Sequence, residues 1–171
     1  MNKILIGLVA VSFIGFACNK EEDPVALPFN EQLTIDSTAI ENYLAENSIA
    51  NVLKDCNTVV VPMGETCDGY VSYVLHEEGN GLTPLSSDYI QVSYKGRLMD
   101  TDKEFDAKDS IDFFLGGLIS GWQAVLLDMQ EGDSVTMYIP SGYGYGFSGS
   151  GDNIPSNANL IFDMRLHKVN Q

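Results

Sequence analysis

Leu118-Ile119-Ser120-Gly121-Trp122 sets the only tryptophan of the chain directly after a glycine, at the head of a short apolar segment. Aromatic residues and Gly/Pro turns gather on both sides of it. Upstream stand Val92-Ser93-Tyr94-Lys95-Gly96, Phe105-Asp106 and Phe114-Leu115-Gly116. Downstream stand Met129-Gln130-Glu131-Gly132-Asp133, Ile139-Pro140, Tyr143-Gly144-Tyr145-Gly146, Ile154-Pro155 and Leu160-Ile161-Phe162. The segment Trp122–Met129 predicts one short helix, stopped at Gly132, where glycine tolerates the left-handed conformation that ends a helix. Around it, the alternation of Tyr89–Tyr94, Ser134–Ile139 and Leu160–Leu166 predicts strands, as does the β-rich run Tyr70–Leu75 before the turn signals Gly79, Gly81 and Pro84. Antiparallel strands with one helix across their face make an α+β domain of roughly 100 residues. Val92, Leu98, Val135, Met137 and Leu160 are its expected core, and residues 69–171 its extent.

Taken singly, these landmarks have ordinary explanations. A lone tryptophan is more often core than pocket, Tyr145 more often a loop anchor, and Asp106 more often a turn residue. Together and in this order they resemble the FKBP-type peptidyl-prolyl cis–trans isomerases, over roughly residues 70–168. The resemblance implies an FKBP-like antiparallel sheet wrapped around one short helix, and rotation about Xaa-Pro bonds of exported or surface proteins. It casts Trp122 as the floor of an apolar slot, Tyr94, Phe105 and Phe162 as walls, and Leu118, Ile119 and Ile154 as its closure. It also implies that the Tyr145 hydroxyl and the Ile119 backbone N–H bond substrate carbonyls, and that Asp106 orients the amide. Proline-containing polypeptides and FK506-like macrolides are the implied ligands. No cofactor and no metal is implied. The alternative is a non-catalytic module or structural surface lipoprotein that keeps the same fold. Departures from the family pattern fall at Ile111, where an aromatic is common, and in the loop Phe147–Asp152. The basic partner of the pocket aspartate has only Lys108 as a substitute.

Such a reaction suits a sequence rich in aromatics and poor in nucleophile-and-base arrangements. A twisted amide has lost the conjugation that makes its barrier about 18–20 kcal/mol, so the site needs shape, dryness and donors more than a nucleophile. Two competing motifs fail on context. Gly144-Tyr145-Gly146-Phe147-Ser148-Gly149 spells a dinucleotide fingerprint, but Ser, Gly, Asn and Pro follow where a helix must start. Asp100, Asp102 and Glu104 suggest a calcium loop, yet Phe105 occupies the glycine position, which leaves a hairpin turn with solvated acids.

Further out, Ser37–Ala45 predicts a helix, opened by Asp36 or Ser37, with Ile40, Tyr43, Leu44 and Ile49 on one face. Residues 18–34, acidic and containing Pro24 and Pro28, read as a flexible tether, and 35–68 as a helical extension with a cysteine loop. Residues 1–17 read as a leader: Lys3, an uncharged apolar run from Ile4 to Phe16, then Ala17-Cys18 in the manner of a lipobox. Lipidation of Cys18 would anchor the chain outside the cytoplasm, on the outer membrane. Asn19-Lys20-Glu21-Glu22-Asp23 either resembles a surface-export signal of Bacteroidetes lipoproteins or is a solvated tether. In an oxidising compartment Cys56 and Cys67 are expected to pair; the alternative is two buried thiols. His76 and His167 stand isolated, which argues against a zinc site. With 24 acidic against 9 basic residues and a net charge of −15, the surface repels phosphate backbones, so nucleic acid is not an expected partner. Membrane contact is left to the lipid, and the chain is expected to be a monomer.

Overall fold

A computed structural model describes residues 26–55 and 70–170. The leader, Cys18 and the proposed Cys56–Cys67 pair lie outside the described residues. In chain order the elements are helix α1 (Phe29–Glu46) and strands β1 (Leu53–Asp55), β2 (Val71–Glu77), β3 (Tyr89–Leu98) and β4 (Glu104–Phe114). Helix α2 (Ser120–Leu126) and strands β5 (Ser134–Ile139) and β6 (Leu160–Asn170) complete them. The strands form one six-stranded sheet in the order β1-β2-β5-β6-β3-β4, antiparallel at every pairing. This is the expected α+β architecture.

Strand alternation sends successive side chains to opposite faces, and the β5–β6 register shows what each face is for. Met137 lies across from Phe162 and Ile139 from Leu160; all four are buried in the main core with Trp122, Val125 and Leu126 of α2. The intervening pair, Tyr138 and Ile161, belongs to a second cluster with Ile40 and Leu44 of α1. The sheet is therefore covered by α2 on one face and α1 on the other. The expected core residues Val92, Leu98, Val135, Met137 and Leu160 are each 5% exposed or less. Gly121 lets α2 lie close to the sheet, since a Cβ there would stand 2.4 Å from Ile139 Cγ2.

Several boundaries differ from the sequence reading. Helix α1 begins at Phe29 rather than at Asp36 or Ser37, so residues 29–34 belong to the folded unit and not to a tether. Tertiary packing accounts for it: Leu33 and Asp36 are each 2% exposed, and Phe29 packs on Tyr143 with ring centroids 5.9 Å apart. Helix α2 starts two residues before Trp122 and stops at Leu126, short of the expected Met129. Strand β4 was not expected at all. Its charged residues hide an alternation in which Phe105, Ala107, Ile111 and Phe113 are partly buried. The acid-rich turn before it is a hairpin, closed by Asp102 N–H donating to the Leu98 carbonyl at 2.9 Å with Asp102 at φ 56°.

Because α1 covers the sheet through few large side chains, Ile40→Ala is expected to cost about 2–5 kcal/mol of stability. A denaturant titration checks this; an unchanged midpoint would mean that α1 contributes little to the fold.

Candidate functional site

Gly96 sits in the middle of β3, opposite Phe162 on β6 and Asp106 on β4. A Cβ at this position would stand 2.6 Å from both Phe105 and Phe162, so the glycine makes room for two rings to meet across the strand. They do so edge to face, at 5.5 Å and 84°. Phe162 in turn meets Trp122 at 5.0 Å and 87°, and Tyr94 meets Trp122 at 5.0 Å and 77°. Such T-shaped pairs are favourable beyond their buried area, because a positive ring edge meets a negative face. They also fix one another's orientation, which makes the wall of the site rigid.

The rings bound a cavity of about 360 Å³. Trp122, 4% exposed, and Phe162, 3% exposed, are core side chains that also line it. Tyr94, Phe105, Leu118, Ile119, Asp106 and Tyr145 line it with them. Leu118 and Ile119 come from the segment entering α2, where the Gln123 side-chain amide donates to the Leu118 carbonyl at 2.7 Å. Ile119 caps the helix: its carbonyl accepts from Trp122 and Gln123, while its own N–H precedes the helix and is not used by it. Among the described residues, the buried Trp122 Nε1 has no hydrogen-bond partner.

Polar groups gather on one side of the cavity. The Tyr94 hydroxyl donates to Asp106 Oδ2 at 2.5 Å, and Lys108 Nζ lies 3.7 Å from Asp106 Oδ1. With both ionic side chains about half exposed, the Lys108 pair adds little stability, but it does supply the aspartate with a cationic neighbour. Burial, then the hydrogen bond to Asp106, pushes the Tyr94 hydroxyl well above the usual tyrosine range. Tyr145, 37% exposed, is pushed up as well, first by burial and then by the charge of Asp106. Both phenols are thus held in the neutral, proton-donating form.

The sequence-derived site residues come together with one exception. Ile154 lies outside the main cavity, in an adjoining hollow of about 300 Å³ that it shares with Phe105, Asp106, Tyr145, Ser150 and Asn153. Its backbone instead closes a small bridge with Ser150, N–H to carbonyl in both directions at 2.8 and 3.1 Å. Lys108, the substitute partner of Asp106, lines the cavity too, as does Ile111, while Phe113 is a lining residue that the sequence reading did not name. Phe113 stands 6.0 Å from Trp122 and 6.2 Å from Tyr94, so an aromatic does complete the wall beside Ile111. Reading β4 as a strand would have put Phe113 on one face with Ile111, but two irregularities in its pairing with β3 bring Phe105, Asp106 and Lys108 to the same cavity, which strict alternation does not foretell.

The family model for FKBP-type peptidyl-prolyl cis-trans isomerases matches residues 81–167. A probable FKBP-type isomerase FkpA of Neisseria meningitidis is 36% identical over 103 residues, covering 58% of this chain and 38% of its own. FK506-binding protein 1B of Neurospora crassa is 36% identical over 107 residues, or 56% of this chain and 95% of its own. The chain thus spans little more than a third of the length of the curated FkpA relatives it matches. Among solved structures, a peptidyl-prolyl cis-trans isomerase of Pseudomonas syringae superposes with a TM-score of 0.65 at 26% identity, over 86% of this chain and 100% of its own. On the match to more than half of its length, and on a relative covered almost end to end, the chain belongs to the FKBP-type peptidyl-prolyl cis-trans isomerase family.

Proposed function

We propose that this chain catalyses cis–trans isomerisation of Xaa-Pro bonds in exported or surface polypeptides. The observation that carries the reading is the aromatic box on Trp122 with Asp106 and Tyr145 at its polar side. A prolyl ring resting on the indole leaves water, and its imide nitrogen enters a medium of low polarity. Rotation breaks amide conjugation and localises the nitrogen lone pair, so a dry, apolar surrounding favours the twisted state over the planar one. The Ile119 N–H and the Tyr145 hydroxyl hold the flanking carbonyls while the bond turns. Asp106 orients the amide dipole without forming a bond to it, and Tyr94 and Lys108 fix that carboxylate. No covalent step and no proton transfer to substrate is required.

The leader and Cys18 support an extracytoplasmic, lipid-anchored protein on the outer membrane, with a Cys56–Cys67 disulfide in the cysteine loop and a monomeric catalytic domain at 69–171. Slow proline isomerisation, tens of seconds or longer without help, would limit folding of clients there. An FK506-like macrolide is expected to compete for the slot.

A protease-coupled assay with an Xaa-Pro peptide tests the activity. The folded chain is expected to accelerate isomerisation, and no acceleration over buffer would remove the enzymatic reading in favour of a binding module. Tyr145→Phe and Asp106→Ala are each expected to lower kcat/KM about three- to tenfold, the scale of one lost hydrogen bond. Trp122→Ala is expected to abolish most activity and to cost about 3–5 kcal/mol of stability.

Alkaline pH gives a second check. The donor role needs neutral Tyr145, and its ionisation in the folded protein lies above the ordinary value of about 10. A raised folded-state value stabilises the fold below that ordinary value, and the contribution is lost as pH rises through the raised one. Activity is therefore expected to stay level through pH of about 10, and a decline centred there would contradict the assignment. For the anchor, metabolic labelling with a radioactive fatty acid is expected to mark the wild-type chain and not Cys18→Ala; equal labelling of both would place any lipid elsewhere.

A further inference from the structure

Asp36 of α1 is 2% exposed and lies 105 residues away in sequence from the groups it holds. Its Oδ2 accepts from the Ser141 backbone N–H at 2.9 Å and from the Ser141 hydroxyl at 2.6 Å, while Oδ1 accepts from the Gln32 amide at 2.8 Å. Asn159 Oδ1 takes the same Ser141 N–H at 3.0 Å. A carboxylate sealed from water is retained only where donors surround it, and here two of its three donors come from one residue of another element. Ser141 opens the turn Ser141–Tyr143 that leads directly into Gly144 and Tyr145.

The same turn is gripped at two further points. Phe29, the first residue of α1, packs on Tyr143, and a Cβ at Gly142 would stand 2.7 Å from its ring. The Ser120 hydroxyl at the head of α2 donates to the Tyr143 carbonyl at 3.3 Å. The turn is thus wedged between the two helices, and only Gly144 separates it from Tyr145. Of the three residues between Ser141 and Tyr145, Gly142 and Tyr143 are packed against Phe29 and only Gly144 is left, so a shift of Ser141 is passed on to Tyr145 with little slack.

We propose that Asp36 is a positioning residue: through Ser141 it sets the turn that presents Tyr145 to the cavity, which makes α1 a working part of the site rather than a spacer. This rests on the reading of Tyr145 as a substrate contact. A displaced hydroxyl loses alignment with the substrate carbonyl even when every lining residue is present.

The test uses the full chain with Asp36→Ala, Asp36→Asn, Ser141→Ala and Ile40→Ala, each assayed under conditions where a denaturation curve shows it fully folded. Asp36→Ala is expected to lower kcat/KM about tenfold. Asp36→Asn retains an acceptor for the Ser141 N–H and, with the Gln32 amide turned, a partner on each side; it is expected to recover to within about twofold. Ile40→Ala loosens α1 on the opposite sheet face, so it lowers the unfolding midpoint and leaves kcat/KM unchanged. Amide proton–nitrogen spectra supply a readout independent of turnover: Tyr145 and Gly146 signals shift in Asp36→Ala and not in Ile40→Ala. Folded Asp36→Ala with wild-type kcat/KM and unshifted Tyr145 would overturn the proposal and leave Asp36 a structural anchor. If Asp36→Ala does not fold, Ser141→Ala decides, with a fall of about threefold expected and wild-type behaviour contradicting. Were the wild-type chain inactive, the reading of the function would fail, and the Tyr145 shifts alone would decide the positioning claim.

Discussion

The pairing of β5 with β6 is the constraint on which the remainder of the structure depends. Met137 across from Phe162, and Tyr138 across from Ile161, commit adjacent pairs to opposite faces of one sheet. A slip of one residue would send Phe162 to the α1 side and empty the wall of the cavity. With the register as it is, Phe162 reaches Trp122 on one face while Ile161 receives Ile40 on the other. Site and outer helix are thus two consequences of one strand pairing.

The cavity itself is built from side chains that a core would have claimed in any case. Trp122 and Phe162 are almost wholly buried, and their edge-to-face contacts with Tyr94 and Phe105 use the energetics of ordinary aromatic packing. What turns core into site is Gly96, which leaves two rings room to meet, and the placing of Asp106, Lys108 and Tyr145 at one side. Those polar groups are held as donors and acceptors rather than as strong acids or nucleophiles. Burial keeps both phenols neutral, Tyr94 is committed to Asp106, and Lys108 stands by the same carboxylate. Such a set can grip and desolvate an amide, and it is poorly suited to attacking one.

Much of this was legible in the sequence where one physical period governed a segment. Strands β3, β5 and β6 show a period of two in sequence, in β5 with Val135, Met137 and Ile139 turned to the main core between Ser134, Thr136 and Tyr138, and the aromatic string around Trp122 carried the lining of the cavity. Strand β4 was not legible. It is an edge strand whose exposed positions carry Glu104, Asp106, Lys108 and Asp112, so its half-buried Ile111 and Phe113 did not read as a face. The first half of α1 escaped for a different reason. Its buried positions run Leu33, Asp36, Ile40, Leu44, and a carboxylate at a core position breaks the apolar period. Asp36 makes sense only beside Ser141, and sequence alone gives no sign that they meet. Ile154 shows the opposite limit: a landmark residue can be correctly placed in a string and still line the neighbouring hollow.

The central claim is that the slot over Trp122 turns Xaa-Pro bonds. Exchange spectroscopy by nuclear magnetic resonance on a proline peptide, with the chain at catalytic concentration, measures that directly. The account predicts cis–trans exchange far faster than in buffer, suppressed when a macrolide or Trp122→Ala removes the slot. Exchange at the uncatalysed rate, with the protein folded and the peptide bound, would contradict it.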